Sequence, residues 1–169
     1  MNWWIKNNHV INYTENAIDL ASHNNQYDSL VWWFNNISPE KLKYTCYAID
    51  SASQNNNVKM LELWNQMHDK LNIIFKYSED SITWASATNS IDALNWWFDN
   101  KQKYKLKYDS NAIDAASKNQ SIDALNWWAD HHINSKLKIS YTENSLNFRI
   151  DNPTTINWWI KSGLQVKYN

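Results

Sequence analysis

A chain of 169 residues with 43% hydrophobic content and 12 tryptophans offers too much burial to be a disordered segment. Its formal net charge of −1 gives no global attraction for nucleic acid or an anionic membrane, and the single cysteine, Cys46, excludes an internal disulfide. No run approaches the roughly 20 apolar residues of a membrane span, and the stretch from Met1 to Asn8 lacks the apolar core of a signal peptide, so an intracellular, cytoplasmic setting is expected.

The octapeptide Ser90-Ile91-Asp92-Ala93-Leu94-Asn95-Trp96-Trp97 returns letter for letter from Ser121 to Trp128, 31 positions later. Self-similarity at such a period marks stacked repeats. In chain order the pairs are Trp3-Trp4, Trp32-Trp33, Leu63-Trp64, Trp96-Trp97, Trp127-Trp128 and Trp158-Trp159. A tyrosine recurs at Tyr13, Tyr44, Tyr77, Tyr108, Tyr141 and Tyr168. From tyrosine to the next pair the distance is 19 positions four times and 17 in the last repeat; from pair to tyrosine it is 10, 12, 14, 12, 14 and 10. The fixed part reads as packed structure and the variable part as a loop that tolerates insertion. One repeat domain over 1–169 follows: a half-repeat 1–13, repeats 14–44, 45–77, 78–108 and 109–141, and a shortened capping repeat 142–169.

Within each repeat the first element is a short helix. Thr14, Thr45, Ser78, Asp109 and Thr142 have side-chain oxygens suited to an N-cap, and Glu15, Glu79 and Glu143 place acids where the helix dipole favours them. Ala17, Ile18 and Ala21 make its buried face, and the small residues admit a close neighbour. Polar clusters such as Asn24-Asn25, Asn55-Asn56-Asn57 and Asn119-Gln120 then predict a tight turn with one residue at positive φ, for which Asn is the best choice after Gly. A second helix follows, with the stripe Tyr27, Leu30, Trp33 repeated as Val58, Leu61, Trp64 and onward. The second Trp of the pair never varies, which makes it the deeper core position. Each repeat closes on lysines alternating with apolar residues, as in Lys41-Leu42-Lys43-Tyr44 and Lys105-Leu106-Lys107-Tyr108, an extended, projecting segment. At the end, Thr142 is read as capping a helix altered at Arg149-Ile150, with a turn shortened at Asp151-Asn152-Pro153.

This pattern resembles the ankyrin repeat. Ala17-Ile18-Asp19-Leu20-Ala21-Ser22 lies where the family has its first helix, His23-Asn24-Asn25 where it has its turn, and Tyr27 to Phe34 where it has its second helix. The Thr-Pro start, the turn glycine and the family's Asp-Gly-type loop turn are missing. The paired tryptophans and Lys-Leu-Lys-Tyr loops look most like the divergent ankyrin-like proteins of giant DNA viruses of amoebae. The resemblance implies an all-α solenoid, and a viral protein would act in host cytoplasm on a host partner. It also implies a concave protein-binding face, whose positions map to Glu15, His23 and Asn24, to Cys46, Gln54 and Asn55, to Glu79, Ala87 and Thr88, and to Ser110, Lys118 and Asn119. Trp84 varies where the other repeats have Leu20, Ser51 and Ala115, and is either a local core filler or a binding anchor.

The remaining residues give little chemistry. His9, His23, His68, His131 and His132 lack ligand spacing, so no metal or cofactor is expected. Cys46 follows an N-cap, where a thiolate is favoured, yet no His and acid accompany it and it reads as an ordinary cysteine. Asp19, Asp50 and Asp114 recur with the helix and read as structural, and no phosphate loop or nucleophile motif is present; the chain is not expected to be an enzyme or to take a small-molecule substrate. The lysines are either a docking strip for an acidic partner or nucleic acid, or edge residues that oppose aggregation, with the second favoured. The expected function is protein–protein interaction. The alternative is a self-associating homodimer formed through apolar surface at Trp3, Trp4 and Ile5 in the uncovered half-repeat. If the tryptophans are core, Trp97→Ala lowers stability by about 3–5 kcal/mol, and an unchanged denaturation midpoint refutes that assignment.

Overall fold

The computed structural model describes residues 11–146 and 153–165. Among the described residues the fold is all-α, with nine α-helices, two short 3-10 turns and no strand. The helices are α1 (Asn16–His23), α2 (Tyr27–Asn36), α3 (Tyr47–Gln54), α4 (Val58–Leu71), α5 (Asp80–Ala87), α6 (Ile91–Asp99), α7 (Ser110–Lys118), α8 (Ile122–Ser135) and α9 (Pro153–Ser162). They pack in single file: α1 on α3, α3 on α5 and α5 on α7, each also against the helix that follows it, with α4 on α6, α6 on α8 and α8 on α9.

Helices of eight or nine residues are marginal alone, so their ends and faces must be secured by neighbours. Four of the expected caps hold the residue two positions on: Thr45 accepts the Tyr47 N–H at 3.1 Å, Ser78 that of Asp80 at 3.1 Å, Asp109 that of Asn111 at 2.8 Å and Thr142 that of Asn144 at 3.1 Å. At the other end Asn25, Asn56, Asn89 and Gln120 take φ of 52 to 60°. The next residue's N–H then folds back onto the carbonyl of Ala21, Ala52, Ala85 or Ala116 at 2.8–2.9 Å, a Schellman closure.

The buried face of α1 differs from the expectation by one position. Ile18, Ala21, Asp19 and Ser22 are buried while Ala17 is only partly so, because Asp19 and Ser22 serve the neighbouring repeat. Asp19 accepts the Thr45 N–H at 2.9 Å and its hydroxyl at 2.6 Å. Asp50 does the same for Ser78 at 3.0 and 2.6 Å and also accepts the Ser81 hydroxyl; Asp114 accepts from Thr142 at 2.9 and 2.6 Å. A buried carboxylate is tolerated when such donors replace its water. The third position in this series differs. Thr83 occupies the acid position and the next cap is Asp109, which accepts from Asn111 of its own helix, so no acid-to-cap pair joins these two repeats.

Ser22 and its counterparts hold the core tryptophans. The indoles of Trp64, Trp97, Trp128 and Trp159 donate to Ser22, Ser53, Ser86 and Ser117 at 2.7–3.0 Å, each reaching into the preceding repeat. These indoles are at most 1% exposed, whereas Trp96 and Trp127 at the first position are 5 and 6% exposed and Trp32 and Trp158 are half-buried. The second position is the deeper one. Tyr13, Tyr44, Tyr77, Tyr108 and Tyr141 lie 4.4–4.9 Å from these tryptophans or from Trp33. Their hydroxyls donate to the carbonyls of Lys41, Ile74, Lys105, Lys138 and Gln165 in the next segment, at 2.6–2.9 Å. The alternation in those segments is real, with Leu42 and Tyr44 buried and Lys41 and Lys43 exposed. Tyrosine hydroxyls, not a strand ladder, tie each segment to the preceding repeat.

Two expectations need correction. The segment of variable length is not all loop: α4 and α8 have 14 residues each against 10 in α2 and 9 in α6, and both end on a left-handed residue, Asn72 or Lys136. Added length goes into helix because an extra turn satisfies its own backbone groups. His68 and His132 support those longer ends, their Nδ1 atoms 2.6 and 2.9 Å from the carbonyls of Ile73 and Leu137. After Thr142, a single 3-10 turn, Glu143–Ser145, stands where a helix was expected to begin. Ser145 still closes the contact, donating its hydroxyl to the Thr142 carbonyl at 2.8 Å and accepting the Ser117 hydroxyl on its own carbonyl at 2.5 Å. Arg149, Ile150, Asp151 and Asn152 lie outside the described residues, as do Trp3, Trp4 and Ile5.

Restoring the ordinary rung between repeats 78–108 and 109–141 is a direct check. Thr83→Asp alone sets two carboxylates together and Asp109→Thr alone removes a cap, so each destabilises; combined, they couple favourably by about 1–3 kcal/mol in a double-mutant cycle of denaturation. Burial pushes the Tyr44 phenol up to about 12 from its ordinary 10.0. The folded chain therefore keeps a proton that the unfolded chain releases, and stability is intact below pH 10 and falls as pH rises toward 12. Tyr44→Phe is expected to cost about 1 kcal/mol at neutral pH and to flatten that alkaline decline in pH-dependent urea melts.

Candidate binding surface on the first helices

The outward faces of α1, α3, α5 and α7 form a grid, because each helix repeats the same register. Asn16, Tyr47, Asp80 and Asn111 stand in one row; Leu20, Ser51, Trp84 and Ala115 in the next, one turn on; His23, Gln54, Ala87 and Lys118 in the last. Three of these residues come together across three helices. The Tyr47 hydroxyl is 3.2 Å from His23 Nδ1, their rings are stacked at 5.6 Å, and the Tyr47 ring meets Trp84 edge-on at 6.0 Å. Leu20 is 49% exposed beside them, whereas Ser51, between Tyr47 and Trp84 in the grid, is fully buried. Trp84 is thus neither isolated nor deep. It is a half-buried member of an aromatic row.

The turn residues make a second row. Asn24 donates to the Leu20 carbonyl, Asn55 to that of His23 and Asn119 to that of Ala115, each at 2.8 Å, while Thr88 donates within 2.8 Å of the Gln54 and Trp84 carbonyls. Asn24, Asn55, Thr88, Lys118 and Asn119 are exposed, and His23 and Gln54 are half-buried. Glu15 and Glu79 are exposed at the opposite, N-terminal ends of α1 and α5. These candidate residues therefore do not converge on one point; His23 and Trp84 meet only through Tyr47. Sequence reasoning missed Tyr47. Its signal was available, since Asn16, Asp80 and Asn111 are polar at the same register and a lone aromatic there has no core reason.

Other candidates are committed to structure. Lys43, Lys76 and Lys107 place Nζ 3.1, 2.8 and 2.8 Å from the carbonyls of Tyr13, Tyr44 and Tyr77, and over the same rings. His131 stacks on Trp127 at 4.1 Å with Nδ1 2.8 Å from the Trp127 carbonyl. At Cys46 the favourable helix-end environment is overridden: burial, then the Asp50 charge, raises the thiol above its ordinary value, so the thiol form is favoured. A cavity of about 450 Å³ between the segments after α2 and α4 is lined by Pro39, Leu42, Tyr44, Leu71, Ile73 and Ile74 among others. Glu40, Asn72 and Lys76 complete its lining, and the Lys76 ammonium is already bonded to the Tyr44 carbonyl at 2.8 Å. No family model, curated protein or solved structure matches the chain. Among the described residues, no helix is long and apolar enough to cross a membrane.

Proposed function

We propose that the chain is a non-enzymatic, ankyrin-like solenoid that binds another protein through the face formed by α1, α3, α5 and α7. The observation that carries this reading is the row His23, Tyr47 and Trp84: three aromatic rings, one per repeat, held half-exposed at positions that vary from repeat to repeat. Tyr and Trp at such positions supply contact area at low entropic cost and are the residues that concentrate binding energy. The ankyrin-like character is supported by the register of caps, left-handed turn and paired helices. The non-catalytic reading is supported by Asp19, Asp50 and Asp114, whose carboxylates are occupied by cap hydrogen bonds.

Affinity capture with mass spectrometry tests the reading when it compares the wild-type chain with the double variant Tyr47→Ala, Trp84→Ala. A partner retained by the first and lost by the second, with thermal melts showing both folded, is the expected result; identical recovery overturns it. Light scattering on the same samples reports whether the chain self-associates, the expected outcome if Trp3, Trp4 and Ile5 lie at a dimer interface.

A further inference from the structure

The charges nearest Tyr47 and Trp84 are acidic, and the exposed Lys118 of α7 stands at the opposite, C-terminal end of the face. The stretches 15–26, 46–57 and 79–90, which hold α1, α3 and α5 with their turns, contain Glu15, Asp19, Asp50, Glu79 and Asp80 and no Lys or Arg. Asp19 and Asp50 are buried and hydrogen-bonded, but Glu15 and Glu79 are exposed and Asp80 is half-exposed. Asp80 stands one turn before Trp84 on the same face of α5 and shares the row of Tyr47 on α3. Among the described residues the single ion pair is Lys103 with Asp69, at 2.6 Å and remote in sequence from this face. Burial, and then the Asp50 charge, raises the Asp80 carboxyl.

The rest of the molecule shows what its aromatic rings accept. Among the described residues six lysine ammonium groups lie over aromatic rings, at 3.6 to 5.4 Å, including Lys59 over Tyr27 and Lys107 over Tyr77. None of these six is over Tyr47 or Trp84. At the aromatic row, rings and acids stand in neighbouring register positions and none of these six lysines reaches them.

We propose that Tyr47 and Trp84, with Asp80 and Glu79, receive a cationic side chain, foremost arginine, from an extended basic segment of the protein partner. This rests on the reading of the same face as protein-binding and specifies what it selects. A guanidinium is the best fit because it stacks its plane on a ring while its N–H fork meets a carboxylate, which an ammonium does less well. Leu20, at the edge of the row, would take an aliphatic neighbour of that arginine.

The test uses the full chain and three peptides of equal length in which leucine alternates with arginine, lysine or glutamate, with a single-stranded oligonucleotide as a polyanion control. Isothermal titration at low and high salt should show the arginine peptide binding most tightly, lysine next, and both weakening with salt. Glu79→Lys, at an exposed position, and Asp80→Asn should each weaken arginine-peptide binding about tenfold, as removal of one charged partner does, with thermal melts showing that each variant is folded at the assay temperature. Preference for the glutamate peptide or the oligonucleotide, equal binding of all three peptides, absence of binding, or indifference to both variants overturns the proposal. The outcomes separate from those of the capture experiment: a captured partner that depends on Tyr47 and Trp84 while peptides show no charge preference removes the cation and leaves the binding face. Loss of both removes the face as well.

Discussion

Everything in this fold depends on the second tryptophan position of the second helix reaching back to a serine on the first helix of the unit before. A buried indole brings a large apolar area and one N–H that must be paired. Ser22, Ser53, Ser86 and Ser117 supply the acceptor at 2.7–3.0 Å, and the tyrosine at the unit boundary lies against the ring. Neither helix alone can satisfy that demand. The unit is stable only when stacked, and the letter-for-letter recurrence of Ser-Ile-Asp-Ala-Leu-Asn-Trp-Trp follows, because each copy meets the same partner.

Around that contact the polar groups form parallel series, each joining one repeat to the next. Aspartate to cap, tyrosine hydroxyl to carbonyl and turn asparagine to the following second helix run along the chain. The turn series shows why Asn is used where Gly would be easier: Asn56 and Asn89 take the left-handed backbone, accept the Ala93 and Ala124 N–H groups at 2.9 Å and donate to Asp92 and Asp123. A glycine gives the backbone freedom and none of the bonds. The lysines of the extended segments fall into the same class, since three of them cap tyrosine carbonyls; what looked like a charged fringe is partly internal bonding.

With the framework so occupied, departures from it become informative. Tyr47 and Trp84 belong to no series and sit on adjacent first helices, and the acids beside them have no basic residue within their stretches. Thr83 and Asp109 are a different kind of departure. They exchange the residue types of acid and cap, and Asp109 is occupied in capping its own helix through Asn111, so they carry no sign of a ligand.

The sequence by itself determined the repeat, the order of helix, turn, helix and extended segment, the left-handed turn and the depth of the second tryptophan, because periodicity and capping are local and repeat identically. It also made Trp84 conspicuous. Tertiary structure alone decided where the variable length goes, since residues added after α4 and α8 begin could be loop or helix until backbone bonding is counted. It alone decided that Tyr47 bridges His23 and Trp84, 24 positions before it and 37 after it by SEQ numbering. Proximity of that kind depends on how neighbouring helices are spaced and turned, and no single stretch of sequence records it.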